Sequence, residues 1–247
     1  MRTLRFAHAG VLLLSIAAGA QAAADIAGDL AAADRFEGDA ARDATRRPAL
    51  VLEFLGLERG MTAIDVVAAG GWYTEVLAHS VGRSGKVYAQ NPAIVLQFRD
   101  GANEKAISAR LADGRLANVE RLDKEITDLE LAPASVDFAI TALNFHDVYN
   151  GAGKDAASQF LLAIYTVLKP GGVLGLIDHH GATGQDNAGL HRMEAAAAKA
   201  VIDASPFVLE AESDLLRNPD DDHTKHVFDP SLGRNTDRFV FRLRKPE

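Results

Sequence analysis

The 247-residue chain contains no cysteine, which excludes disulfides, thiolate-bound metal and a cysteine nucleophile. It also lacks a basic stripe. Its 26 Lys and Arg stand against 34 Asp and Glu, a net charge of −8, and an acidic chain of this kind is a poor partner for nucleic acid or an anionic lipid surface. Neither a G-x-S-x-G elbow nor an H-E-x-x-H helix is present, so two common hydrolase devices are missing. The apolar run from about Ala9 to Ala20 is too short to span a bilayer well, since a spanning helix needs roughly 20 apolar residues.

That run has a context of its own. Arg2 and Arg5 precede it and "AQAAAD" follows it, the three-part order of a secretory signal peptide. Residues 1–24 are therefore read as a signal peptide cleaved after Ala22 or Ala24, and the mature protein as exported, periplasmic and not stably inserted in the membrane. Loss of Arg2 and Arg5 leaves 24 basic residues against 34 acidic ones, a net charge of −10. Residues 25–47 form a polar leader segment, either a helix over a pocket or a solvated arm. With 48% hydrophobic residues, residues 48–247 are enough for one α/β domain with a buried core.

Within that domain the pattern alternates. Pro48 suits a first helical position and Gly56 a stop. "TAIDVVA", "KVYAQ", "NVERL" and "SVDFAITAL" read as strands, with helices over "YTEVLAHSVG" and residues 93–112. "DAASQFLLAIYTVL" is a further helix, stopped by Lys169-Pro170-Gly171-Gly172 before the strand "VLGLID". An alanine-rich helix is expected over residues 187–205. "FVLEAES" and "RFVFRLR" then follow with no helix between them, so the last strand is expected to be antiparallel in an otherwise parallel sheet.

In such a sheet the ligand sits beyond the carboxyl ends of the strands. "NFHDVYN" closes the fourth strand and "DHH" the fifth, which gathers His146, Asp147, Asp178, His179 and His180 at one edge. A histidine oriented by a carboxylate can take a proton near neutral pH, so His146, Asp147, Asp178 and His179 are the candidate catalytic residues. On an extended backbone His146 and Asp147 would diverge unless the chain turns there. His191 and Arg192, expected to begin the next helix, could close over the pocket, as could Arg42, Asp43, Arg46 and Arg47 from the leader. No metal is assigned, although two histidines and a carboxylate suffice for iron or zinc; a looser second set is His223 and His226 with Asp220, Asp221 and Asp222.

The stretches "LERGMTAIDVVAAGGWYTEVLA", "GKVYAQN", "NFHDVYN", "VLKPGGVLGLIDHH", "HRMEA" and "ESDLLRNPDDDHTKHVFDP", with "TDRFVFRLRKP" near the end, resemble a family of exported class I methyltransferase-like proteins. The resemblance covers about residues 30–246. It implies a Rossmann-like α/β fold with a seven-stranded, mostly parallel sheet and an antiparallel last strand, and S-adenosylmethionine as cofactor. Asp65, Ala69, Gly70 and Gly71 would form the cofactor turn, with Tyr73, Thr74 and Asn144 beside it. Asn91 would hold the ribose, and Glu125 and Ile126 would meet the adenine. Val67 and Ala69 stand where the wider pattern has small residues or glycine. Asn144 is not followed by the Pro-Pro-aromatic pattern of amino-directed nucleic-acid methyltransferases, so the expected acceptor is a small molecule. The expected activity is methyl transfer in the cell envelope; the alternative is a methyltransferase-fold protein that is non-catalytic or metal-dependent and binds another ligand.

Overall fold

The computed structural model describes residues 25–247; the signal-peptide reading of residues 1–24 lies outside the described residues. The first helix, α1 (Ile26–Ala32), is capped by Asp25, whose carboxylate accepts the Gly28 N–H, and it buries Ile26 and Leu30. A 3₁₀ turn, Ala40–Arg42, leads into the short α2 (Asp43–Arg46) and then α3 (Pro48–Leu55), with Pro48 at its start and Gly56 in a left-handed cap. The alternating part follows as β1 (Thr62–Val66), α4 (Trp72–Val81), β2 (Lys86–Gln90), α5 (Ala93–Leu111), β3 (Val119–Leu122), β4 (Val136–Ala142), α6 (Phe145–Val167) and β5 (Leu168–His179). It ends with α7 (Ala195–Ile202), β6 (Val208–Ser213) and β7 (Arg238–Arg244).

These strands form a seven-stranded sheet in the order β3-β2-β1-β4-β5-β7-β6, the order of a class I methyltransferase fold. Only β7 runs antiparallel to its neighbours, as the absence of a crossover helix before it requires. Successive side chains of a strand face opposite layers, and β5 shows it. Leu174 and Leu176 pack with Phe145, Phe160 and Val201 under α6 and α7, whereas Val173 and Ile177 pack with Ile26, Leu52, Leu55 and Leu77 under α1, α3 and α4. Between them Gly175 admits α3, because a Cβ there would stand 2.4 Å from Leu55 Cδ1. The strand order reverses between β1 and β4, which opens the crevice where such folds bind ligands. Among the described residues no helix is long and apolar enough to cross a membrane.

Three helices differ from the sequence reading. α6 begins at Phe145, so "NFHDVYN" is a helical turn and not the end of a strand, and the break expected before residue 155 survives only as Gly153 at φ 87°. α5 is interrupted at residues 98–101, where Arg99, Asp100 and Gly101 adopt left-handed conformations. α7 starts at Ala195 and not near 187. There the Asp186 carboxylate accepts the Gly189 N–H at 3.0 Å and the Asn187 carbonyl accepts the Arg192 N–H at 2.8 Å. Short polar side chains that bond to nearby backbone favour a turn over a helix, and His191 and Arg192 consequently lie in a loop.

Candidate functional site

The turn from β1 to α4 passes through three left-handed residues in five: Val67 at φ 57°, Ala69 at φ 50° and Gly71 at φ 81°. Only glycine adopts this region without penalty, and a non-glycine residue costs on the order of 1–2 kcal/mol there. The strain is held by side chains from the next strand. Gln90 accepts the Val67 N–H at 2.9 Å and donates to the Lys124 carbonyl at 2.7 Å, while Asn91 accepts the Ala69 N–H at 2.7 Å and donates to the Ala69 carbonyl at 3.2 Å. Both polar groups of Asn91 are thus engaged by the turn itself. Gly71 suits this place on two counts: its φ of 81° favours glycine, and a Cβ would stand 2.4 Å from Ile107 Cδ1 and 3.0 Å from Arg110 Cδ, so those side chains would have to shift.

Beside the turn lies a cavity of about 210 Å³ lined by Asp65, Val67, Ala69, Gly70 and Tyr73, by Asn144 from the end of β4, and by Arg42, Arg46 and Arg110. Asp65 is buried and accepts the Thr74 hydroxyl at 2.7 Å. Burial pushes its carboxyl up to about 7, partly offset by Thr74 and by Arg46. The Arg46 guanidinium lies 4.5 Å from the Trp72 ring centre, a distance suited to a cation–π contact. Burial, then the neighbouring Arg46, lowers Arg42 to about 10. Arg110 donates to the Gly70 carbonyl at 2.9 Å and to Asp39 at 2.7 Å, and it pairs with Glu75.

The second cluster lies where β4 and β5 end. Asp178, fully buried, accepts the His146 N–H at 2.6 Å, the His146 Nδ1 at 2.7 Å and the His179 N–H at 2.7 Å. The chain does turn at residue 145, so Asp147 curls back and its Oδ1 sits 3.2 Å from His146 Nε2 and 3.0 Å from His191 Nδ1. Burial would lower the His146 imidazole, but Asp178 and Asp147 outweigh it and raise it to about 10. An imidazole that already carries a proton at neutral pH is not poised as a base, contrary to the role expected of it. His179 hydrogen-bonds Thr236 Oγ1 at 2.6 Å, and burial, with Arg238, keeps it well below the ordinary histidine range. Asn144 joins the two clusters, donating to the Val67 carbonyl at 3.2 Å and the Ala142 carbonyl at 2.9 Å.

Of the residues singled out in the sequence, Asp65, Ala69, Gly70, Tyr73 and Asn144 line the cavity, together with Arg42 and Arg46 from the leader. Thr74 supports Asp65 from below. Glu125 and Ile126 do not line it: Glu125 is exposed and Ile126 packs against the core beneath α6. Asp43 pairs with Arg35. Arg192 does not close over a pocket; it is fully buried and makes a bidentate pair with Asp221 at 2.9 Å for each bond. That leaves the looser metal set dispersed, since Asp221 serves Arg192, His223 bonds Asp237 at 2.9 Å, and Asp222 bonds Thr224. Arg110, Asp39 and Glu75 went unnoticed in the sequence. They come together over separations of 35 and 71 residues, and no local pattern carries such a pairing.

Residues 64–176 match the family model of a methyltransferase domain. A search of curated proteins gave no match. Among solved structures, the fold is similar to an S-adenosylmethionine-dependent methyltransferase from Aquifex aeolicus, at 20% identity and TM-score 0.63, covering 90% of this chain and 98% of that one. It is also similar to the [4+2]-cyclase SpnF, at 17% identity and TM-score 0.61 over 82% of this chain and 81% of that one. A third likeness is to a sarcosine dimethylglycine methyltransferase-like protein from Galdieria sulphuraria, at 15% identity and TM-score 0.58, covering 84% and 87% of the two chains.

Proposed function

With a methyltransferase domain over residues 64–176 as the premise, we propose that this chain transfers a methyl group from S-adenosylmethionine to a small molecule in the cell envelope. The observation that carries the reading is the joining of two sites at the strand-order reversal: the strained turn with its cavity, and the His146–Asp178 cluster, linked through Asn144. Export rests on the order of charges and apolar residues in 1–24, and a small acceptor on the acidic charge.

The cavity chemistry fits the amino-acid end of the cofactor. A zwitterion needs an anion for its ammonium and a cation for its carboxylate; Asp65, which an adjacent ammonium would draw into its ionised form, supplies the first, and Arg46 or Arg42 the second, all lining one space. At about 210 Å³ that space is below the roughly 300–1,000 Å³ of ordinary ligand pockets, so it would hold part of the molecule only. When bound, S-adenosylmethionine supplies a methyl group activated on a sulfonium sulfur. The protein's own residues do the rest. Asp65 and the arginines orient the ligand, Asn144 ties the turn to β4, and the imidazolium of His146, held by Asp178, presents its Nε2 proton to Asp147. That contact keeps Asp147 ionised, its carboxyl below the usual range despite partial burial, and ready to accept a hydrogen bond from an acceptor's hydroxyl or amine.

A melting experiment tests the reading. At one hundred times its Kd a ligand that binds only the folded state adds about 2.7 kcal/mol, which for this size of chain is roughly 5–10 °C. S-adenosylmethionine and its demethylated product should both give such a shift, and Asp65→Asn, which retains shape and removes charge, should cut it sharply. An unchanged melt with both ligands at millimolar concentration would transfer preference to the non-catalytic reading.

A further inference from the structure

We infer that His146, Asp147 and His191 form a binding site for one divalent transition-metal ion of the zinc or iron(II) class, with Asp178 as the residue that positions His146. Two of the three separations between the ligand atoms already stand as an ion would require. Two ligands each about 2.1 Å from one ion, at tetrahedral to octahedral angles, are separated by about 3.0–3.4 Å. Asp147 Oδ1 is 3.0 Å from His191 Nδ1 and 3.2 Å from His146 Nε2, and all three atoms lie within 4.8 Å of one another. Two imidazoles and one carboxylate on one side of an ion are the donor set of open, exchangeable sites.

The support behind His146 is of the kind that metal-binding histidines have. Such a histidine donates its other ring nitrogen to a carboxylate, which fixes the tautomer and directs the free nitrogen at the ion. Here Nδ1 is 2.7 Å from Asp178 Oδ1, and the same carboxylate holds the His146 and His179 backbone N–H groups, so the ring has one orientation and Nε2 faces Asp147. His191 reaches the cluster from a loop in a left-handed conformation, φ 54°, a strain that non-glycine residues tolerate mainly where the surroundings impose it. On the outer side His191 and Asp147 are 41% and 57% exposed, which leaves an approach for a further ligand or an acceptor oxygen. The other candidate trio, His180, His223 and Asp237, is worse placed because Asp237 is engaged by Arg217 at 2.8 Å and 3.1 Å, and a fixed guanidinium repels a cation.

When the ion is bound it takes the place of the Nε2 proton, so the metal-bound site and the His146 imidazolium exclude one another, and metal binding is tested independently of methyl transfer. Equilibrium dialysis of the whole protein against Zn²⁺ and Co²⁺, read by elemental analysis and by the visible spectrum of the cobalt form, tests it. One ion per chain is expected, with affinity reduced about 10- to 100-fold or more in His191→Ala and in Asp147→Asn, and unchanged in His223→Ala. Both altered side chains of the first pair are partly exposed, so the fold should persist, and far-ultraviolet circular dichroism checks it. Stoichiometric binding that survives in His191→Ala and Asp147→Asn but fails in His223→Ala would overturn the assignment, as would no binding by the wild type. The melt with S-adenosylmethionine, run on the same samples, separates this outcome from that of the methyl-transfer reading.

Discussion

At the residue scale, Asp65 is the group whose environment says most about use. It is 3% exposed, and its carboxyl is raised by burial to about 7, well above the ordinary aspartate range. A raised acid pKa means the folded state holds the proton more tightly than the unfolded one, so this contribution to stability is complete below about pH 4 and is lost as pH rises towards 7. Urea unfolding of the ligand-free protein between pH 4 and 7.5 should show that decline, on the order of a few kcal/mol, and Asp65→Asn should lack it, so that the wild-type-minus-variant difference falls as pH rises. Equal slopes in the two proteins would show that Asp65 is ionised throughout. The sequence marked Asp65 as notable because an acid ended an apolar strand before a small-residue turn. It could not show the left-handed backbone at Val67 and Ala69, because neither residue type announces it; only their standing where glycine is usual was visible.

At the element scale the helices near the site were harder to read than the strands. Strands of near-continuous apolar residues, such as "SVDFAITAL", have one interpretation between two helical layers. The turn at Asn144 has two, because "NFHDVYN" carries no strong helix signal and its helical start is decided by Asp178, 32 residues away, bonding the His146 N–H. The leader posed the same difficulty. Its alanine, aspartate and arginine content fits a solvated arm, yet Ile26 is wholly buried against Leu52, Leu55 and Leu77. Ile26→Ala should therefore cost about 2–4 kcal/mol, measured by denaturant unfolding, where a residue on a loose arm would cost within about 0.5 kcal/mol.

At the scale of the whole molecule, the proposed signal cleavage and the fold meet at residue 25. Cleavage after Ala22 or Ala24 would leave Asp25 as the third or the first residue of the mature chain, with its carboxylate still capping α1 through the Gly28 N–H at 3.0 Å and Ile26 still in the core. N-terminal sequencing of protein recovered from an envelope fraction should begin at Ala23 or Asp25; an intact Met1 on protein from the cytoplasm would refute export. The largely parallel sheet with its antiparallel last strand was legible, because alternating elements supply crossovers and the final pair has none. The substrate was not, since it depends on the shape of an edge assembled from residues 42–47, 144–147, 178–180 and 191, which no single stretch of sequence contains.

Arg42 and Arg46 line the cavity at the turn yet belong to the segment that precedes the sheet, and this couples two parts of the chain thermodynamically. Any ligand that alters how those arginines sit must shift the docking equilibrium of residues 40–47, and anything that clamps or frees those residues must alter ligand affinity by the same factor, because linkage is reciprocal. The N-terminal segment is thereby a lever on occupancy as well as a cover: a tether, a neighbouring protein or a proteolytic cut acting on it would be felt at Asp65 without touching the cavity.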